Sequence, residues 1–397
     1  MHRRAPAVLL SLVALVALAS ACGSRPERLD SPHLGRAGTE PDAPQQLGFP
    51  TFATKNTTRV GGADAVADAA AVARAVYPGG GGVGGAGSGP RAVVLTDQRS
   101  WQAALAAAVL MSSPLRAPLL LSDGGSLPAA SAEALGQLAP TGARELGGTQ
   151  VVRVGDAPAP GGYRSTSLAG EDPSALAAAI DRLQAAAVGR ASRAVVVVSE
   201  DEPAFAMPAA AWAAKTGNPV LFVSRSTIPG PTFAALQAHR RPRIYLLAPP
   251  SVVDRGVEQA LRSLGPVTRV AAPDPVRSAI AFARLRDGLD GWSVVDPGHG
   301  LVFANASRTL DAAAAAPLSA SGTYGPLLLI DNADTLPLPV GSYLLDIQPG
   351  YTRDPSRALY NHGWLIGDES AISLPVQARI DHFLEAAPIQ SDTSAIR

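Results

Sequence analysis

The chain has 397 residues, 47% hydrophobic and 17% charged, which excludes an intrinsically disordered protein. Its 33 Lys and Arg balance 33 Asp and Glu, so the basic excess of a dedicated nucleic-acid binder is absent. The length points to two or three domains, and a single Cys leaves no internal disulfide, Cys-based zinc site or iron–sulfur site.

The N-terminus reads as an export signal. His2, Arg3 and Arg4 precede an apolar run over residues 7–19, and Ser20 and Ala21 then lead into Cys22. Basic, apolar and small is the order of a secretory signal, and the run is too short for a comfortable membrane span. A Cys directly after the small residues resembles a bacterial lipobox, in which the thiol takes a diacylglyceryl group and the chain is cut just before it. Residues 1–21 are therefore the expected signal peptide and Cys22 the expected lipidation site. Each buried acyl CH₂ gains about 0.8 kcal/mol, so two or three chains would hold the protein on the outer face of the cell membrane, in the cell envelope. Residues 22–57 read as the lipidated Cys and a disordered tether, rich in Pro, Gly, Ser and charge with no apolar period. Cleavage before Cys22 would remove Arg3 and Arg4, leaving 31 positive and 33 negative side chains. Any attraction for an anionic polymer must then come from local Arg placement.

The remainder repeats. Strand, acidic turn and Ala-rich helix are expected at 58–76, 165–183 and 268–285. Each is followed by a strand (91–96, 193–199, 300–305) and a helix (100–111, 204–214, 307–320). A Pro-led strand comes next (117–123, 218–224, 325–331), with a second Pro at 128, 229 and 337. Closing strands follow at 151–156, 243–250 and 363–368, with helices at 252–264 and 372–384. In the first unit residues 157–162 stand in that helix's place, so it is expected to be missing. A period near 100 residues means tandem small domains, not a solenoid. The strands are continuous apolar runs, as in parallel sheets covered by helices, and Pro is tolerated at a strand's first residue. The expected fold is α/β: three Rossmann-like modules at 58–162, 163–266 and 267–388, with a tail over 389–397.

These motifs resemble the cell-wall-binding repeat family of Gram-positive bacteria (cell wall binding repeat 2). Arg59, Gly62 and Asp64 fit its first element, Leu105 to Ala107 its helix, Pro118 to Leu121 its Pro-led strand and Leu127-Pro128 the next element. The third unit keeps Asp311-Ala312, Pro326 to Leu329 and Leu336-Pro337. The similarity spans residues 58–385. It departs where Ala103 and Met207 replace the helix Asp, and where the closing Gly-Gly reads Gly155-Asp156 and Gly367-Asp368. The resemblance implies a pseudo-threefold packing of the modules and non-covalent attachment to an anionic envelope polymer through grooves near the Pro-led strands.

Ligands of open α/β sheets gather at the carboxyl ends of strands. The candidate binding residues are accordingly Pro118, Ser122, Asp123, Pro219, Ser224, Arg225, Asp311, Pro326, Asp331 and Asn332. The run 79–89 precedes a strand where a dinucleotide Gly motif follows one, so it reads as a flexible insertion. The basic cluster 239–243 reads as a solvated turn. None of the six His has a recognised metal spacing, no Gly-x-Ser-x-Gly elbow occurs, and no carboxylate pair stands out. The expectation is a membrane-anchored surface lipoprotein that binds envelope polymer without catalysis, metal or cofactor, by multivalent weak contacts. A solute-binding lipoprotein of a transporter, or an envelope enzyme with its site between modules, are the alternatives.

Overall fold

The computed structural model describes residues 52–78, 89–288, 290–320 and 325–389. The expected signal peptide, Cys22, most of the tether, all but the last residue of the glycine run, and all but the first residue of the 389–397 tail lie outside the described residues.

Strands β1 (Phe52–Ala53) and β2 (Thr57–Val60) open the described chain. The first sheet is built from β3 (Val93–Asp97), β4 (Leu119–Ser122), β5 (Val151–Val154) and β6 (Ser165–Leu168), in the order β4-β3-β5-β6. The second uses β7 (Ala194–Ser199), β8 (Val220–Val223), β9 (Arg243–Leu246) and β10 (Val267–Arg269), in the order β8-β7-β9-β10. Both are wholly parallel. The third repeats the pattern with β11 (Gly300–Asn305), β12 (Leu327–Ile330) and, after a short β13 (Gly350–Tyr351), β14 (His362–Ile366). Its outer strand is β2, parallel to β14, with β1 antiparallel beyond it. A last strand, β15 (Ala387–Pro388), pairs only with β13.

The outer strands β6 and β10 are thus the opening strands of the following sequence repeats, hydrogen-bonded back to the sheet before. The third sheet has no following repeat and takes β2 from the first. Sheets and sequence repeats run one strand out of step.

Helices follow every strand position but one. After the outer strands come α1 (Ala65–Val76), α4 (Pro173–Val188) and α9 (Pro275–Arg284). Their N-caps are Asp64, Asp172 and Asp274, each accepting a backbone N–H three residues on. After the central strands come α2 (Trp101–Ala107, continued by a 3-10 turn), α5 and α6 (Pro203–Ala206, Pro208–Thr216) and α10 (Thr309–Ala320). After the edge strands come α3 (Ala129–Leu138), α7 (Gly230–Ala238) and α11 (Leu338–Asp346), whose N-caps are Pro128, Pro229 and Pro337. Helices α8 (Arg255–Leu264) and α12 (Leu374–Leu384) follow β9 and β14, while residues 157–162 form no helix. The central strands are buried along their whole length, and the Ala-rich faces of α2, α6 and α10 let helix backbones pack closely between sheets.

The Thr-Arg-Val openings acquire a purpose here. Arg59 on β2 is buried and donates to the carbonyls of Gly367 (2.9 Å), Asp368 (2.7 Å) and Ile372 (2.6 Å), and to Gln377 of α12. Arg269 on β10 does the same to Ala248 (2.6 Å), Val253 (3.0 Å) and Glu258 of α8. The corresponding residue of β6 is Ser167. The first sheet has no helix behind β5 for an Arg to grip, so the missing Arg and the missing helix go together.

The strand ends also fix the register of the central helices. Asp97, Ser199 and Asn305 each accept the backbone N–H two residues on (2.9, 3.1 and 3.0 Å). Asp311, six residues past Asn305, therefore corresponds to Ala103 and to Phe205. Sequence spacing had matched it to Met207, because the break between α5 and α6 shifts that helix by two residues.

Candidate functional site

The polar candidates at the carboxyl ends of the edge strands are largely spent on their own turns. Buried Ser122 donates to the Thr96 carbonyl (3.3 Å), Ser224 bonds Thr227 (2.7 Å), and Asn332 accepts from the Asp334 N–H (2.8 Å). Asp123 and Asp331 are exposed. Arg225 is paired with Asp254 at 3.5 Å, Arg99 with Asp97, and Arg308 with Asp311. Around them lie Asp156, Asp172, Glu200, Asp201 and Asp368, so this end of the sheets is acidic and these three Arg residues are already neutralised. At Glu200, burial and then the charges of Asp201 and Asp172 push the carboxyl up.

A groove of about 460 Å³ opens here among residues 63–65, Gln98, Arg99, Trp101 and 307–311. Under it sits a buried acid pair. Asp68 on α1 and Asp311 on α10 are both 0% exposed. Asp68 Oδ1 accepts the Gly62 N–H and its Oδ2 accepts Arg308 Nη2, both at 2.6 Å. Arg308 Nε lies 2.7 Å from Asp311 Oδ2. Gly61, at φ +126°, is required by this arrangement: a Cβ there would stand 2.1 Å from Asp68 Oδ1. Burial first, and then the proximity of two carboxylates, raises the pair, so it holds one proton at neutral pH while Arg308 balances the remaining charge. The two carboxyls share that proton, and its loss is a property of the pair. The cluster ties α1 to α10 of the third sheet. Asp311 was marked by its motif; Asp68 was not, and its one signal is that the matching positions of the other repeats are Leu176 and Ser278.

The three Pro candidates lie at the opposite end. Pro118, Pro219 and Pro326 begin the edge strands, their carbonyls accepting from Val94 (2.9 Å), Val196 (2.9 Å) and Val302 (3.1 Å). A four-residue strand spans roughly 13 Å, so these Pro residues and the polar residues after the strands do not form one site. The loops at the amino ends are the basic ones: Arg116, Arg190, Arg193, Arg240 and Arg241 are all exposed there. The basic cluster 239–243 is only partly a solvated turn, because His239 is buried against Asp181 (2.8 Å). Burial opposes charge on that imidazole, but the bonds to Asp181 and to the Ser192 carbonyl raise its pKa overall. Of the indoles, Trp212 is core and Trp101 packs edge-on to Phe222 at 5.8 Å. Among the described residues no three His, Cys, Asp or Glu converge to hold a metal, and no helix is long and apolar enough to cross a membrane.

The three parallel sheets with alternating helices define a protein of Rossmann-like α/β modules. Two solved structures share this fold over most of the chain. Cwp6 from Clostridium difficile matches with a TM-score of 0.65 at 14% identity, over 83% of this chain and 48% of that one. Cwp8 from Clostridium difficile matches with a TM-score of 0.63 at 17% identity, over 83% of this chain and 52% of that one. The chain thus spans about half the length of each. No known family and no curated protein matches the sequence.

Proposed function

We propose that the protein is a non-catalytic, cell-envelope-associated binding protein, with degenerate cell-wall-binding repeats held to the membrane through Cys22. The observation that carries this reading is the strand order edge, centre, closing, outer, present three times, together with the fold shared with Cwp6 and Cwp8, both cell wall proteins. The charge distribution supports the amino-end loops as the contact surface for an anionic polymer, since five exposed Arg residues gather there, whereas Arg99, Arg225 and Arg308 at the carboxyl ends are ion-paired among acidic neighbours. Weak contacts from three modules would add through effective concentration. The complete burial of Asp68 and Asp311 favours a joining role for that pair over acid–base chemistry.

The test is retention of the full-length chain, with Cys22→Ser to remove the anchor, on purified cell wall. Retention at low salt, lost in high salt and weakened by Arg116→Glu with Arg240→Glu, is expected. Absence of retention at low salt overturns the reading.

A further inference from the structure

Helices α1, α4 and α9 each carry the chain from one sheet to the next, so the fold has three equivalent positions at their C-terminal ends. At the end of α1 the space is only about 130 Å³, narrowed by Tyr77, Met111 and Pro317. Near the end of α9 the indole of Trp292 packs edge-on to Trp212 at 5.4 Å, and Tyr343 bonds the Val294 carbonyl at 3.0 Å. At the end of α4 a pocket of about 380 Å³ stands open.

The lining of that pocket is polar and held in place. Gln184, 3% exposed, donates from Nε2 to Ser112 Oγ (2.9 Å) and to the Ser113 carbonyl (3.1 Å). Those two acceptors fix the amide's orientation and leave Oε1, a buried acceptor, without a donor. Leaving such a group unmet is costly, so its presence on a pocket wall marks a place where a ligand donor belongs. Gly217, at φ +75°, keeps the approach clear: a Cβ there would come within 3.1 Å of Ser112 Oγ. Asn218, also buried, accepts from Ser192 Oγ at 2.8 Å through Oδ1, which leaves its Nδ2 as a donor. Asp181 contributes no free anion, since it is bonded to His239, whose other nitrogen meets the Ser192 carbonyl at 2.8 Å. Arg190 and Arg193 stand exposed on the lining loop and have no ion-pair partner among the described residues.

We propose that this pocket binds a single small hydroxylated anion, a sugar phosphate or a sugar acid. The ligand's hydroxyl would donate to Gln184 Oε1, its ring oxygens would accept from Asn218, and its charged group would meet Arg190 and Arg193. The volume lies at the small end of ligand sites and suits one sugar ring. Because the space at the end of α1 is about a third of this volume and aromatic side chains pack near the end of α9, the site is particular to the first–second boundary and is not a property of the repeat. It also stands whether the sugar is free or is one unit of a polymer, and so does not rest on wall binding.

Calorimetry on the full-length Cys22→Ser chain tests it, with glucose 6-phosphate and glucuronate as probes and glucose and inorganic phosphate as controls. At least one charged sugar is expected to bind ten-fold or more tighter than either control. The double variant Arg190→Glu, Arg193→Glu alters only surface positions, and should lose that binding ten-fold or more with an unchanged melting temperature. Gln184→Glu should weaken it as well, because a carboxylate cannot donate to the Ser113 carbonyl and the acceptor that meets the ligand hydroxyl is no longer held in place. If the double variant also loses wall retention, the ligand is a polymer unit; if retention is unchanged, it is a free sugar. The proposal is overturned if neither charged sugar binds at millimolar concentration, if phosphate alone binds as tightly, or if the double variant binds as the parent does.

Discussion

The first and third sheets share a strand order but hold their outer strands by different means. In the first, β6 follows β5 after ten residues, is half-exposed along much of its length, and has neither a buried Arg nor a helix behind its neighbour. In the third, β2 arrives from the opposite end of the chain, is buried throughout, and is gripped by Arg59, Gln377 and the Asp68–Arg308–Asp311 cluster. Closing a loop of about 300 residues instead of about ten costs roughly 3 kcal/mol more in chain entropy. A strand adjacent in sequence needs little else to stay paired. A strand recruited from far away carries the charged and hydrogen-bonded contacts that offset its longer closure.

Four perturbations would break or sharpen that contrast. The largest effect is expected from deleting residues 1–60, which removes β1, β2 and Arg59 and leaves β14 as a bare edge. Far-ultraviolet circular dichroism should show loss of one cooperative melt, and a peptide covering residues 48–62 added in trans should partly restore it. An unchanged melting temperature would show that the third sheet does not depend on its distant strand.

Arg59→Ala should come next, at about 3 kcal/mol in urea unfolding, because several buried carbonyls lose their donor together. Arg269→Ala removes a similar fork from β10 and should cost less, about 2 kcal/mol, because its side chain is 13% exposed where Arg59 is buried. An equal or larger cost at Arg269 would show that burial does not set the worth of the fork.

The acid pair gives a smaller effect with a defined sign. Its pKa values are raised above the unfolded carboxylate value of 3.8, with the upper step at about 9. The stability it contributes is therefore fully present below pH 3.8 and is lost as pH rises towards 9. Asp311→Asn should flatten that slope, since it leaves Asp68 no second carboxyl to share a proton with. Asp68→Asn should cost more at every pH, because one of its two accepted N–H bonds must break. A parent stability that rises between pH 5 and 9, once other groups are matched through the Asp311→Asn control, would refute the shared proton.

The smallest effect is expected from Ser167→Arg, which copies Arg59 onto β6. With no helix behind β5 to receive the guanidinium, the gain should stay within about 0.5 kcal/mol. A clear stabilisation would show that the Arg acts without its helix.

The fold was legible where apolar runs are long. The strand expected at 300–305 is β11 residue for residue, and 91–96 and 193–199 lie within two residues of β3 and β7. The empty stretch 157–162 was legible from Pro and Gly alone. Helices α3, α7 and α11 were not read; in α7 the apolar residues lie all round the helix, so no stripe marks it. The offset between repeats and sheets was invisible for a deeper reason. A cyclic pattern can be cut at any point without changing its spacing, and the expected starts at 163 and 267 fall just before strands that pair backwards. At the candidate site, Asp311 stood out by motif, but its partners Asp68 and Arg308 are 240 residues apart and meet only through the closure of the third sheet. Gln184 and Asn218 lie in ordinary helix and loop sequence, and only the packing of α4 against its neighbours gives them a common wall.

The pairing of β2 with β14 also sets an order of events. Whatever route the chain takes out of the ribosome, β2 emerges well before β14 and has only the two residues of β1 beside it until residue 366 has followed. The first and second sheets can be complete while β2, with its buried Arg59, still waits in solvent. The slowest step of folding should therefore be the return of the beginning of the chain to its end, and anything that captures residues 52–60 in the meantime would arrest the protein with two sheets built and one open.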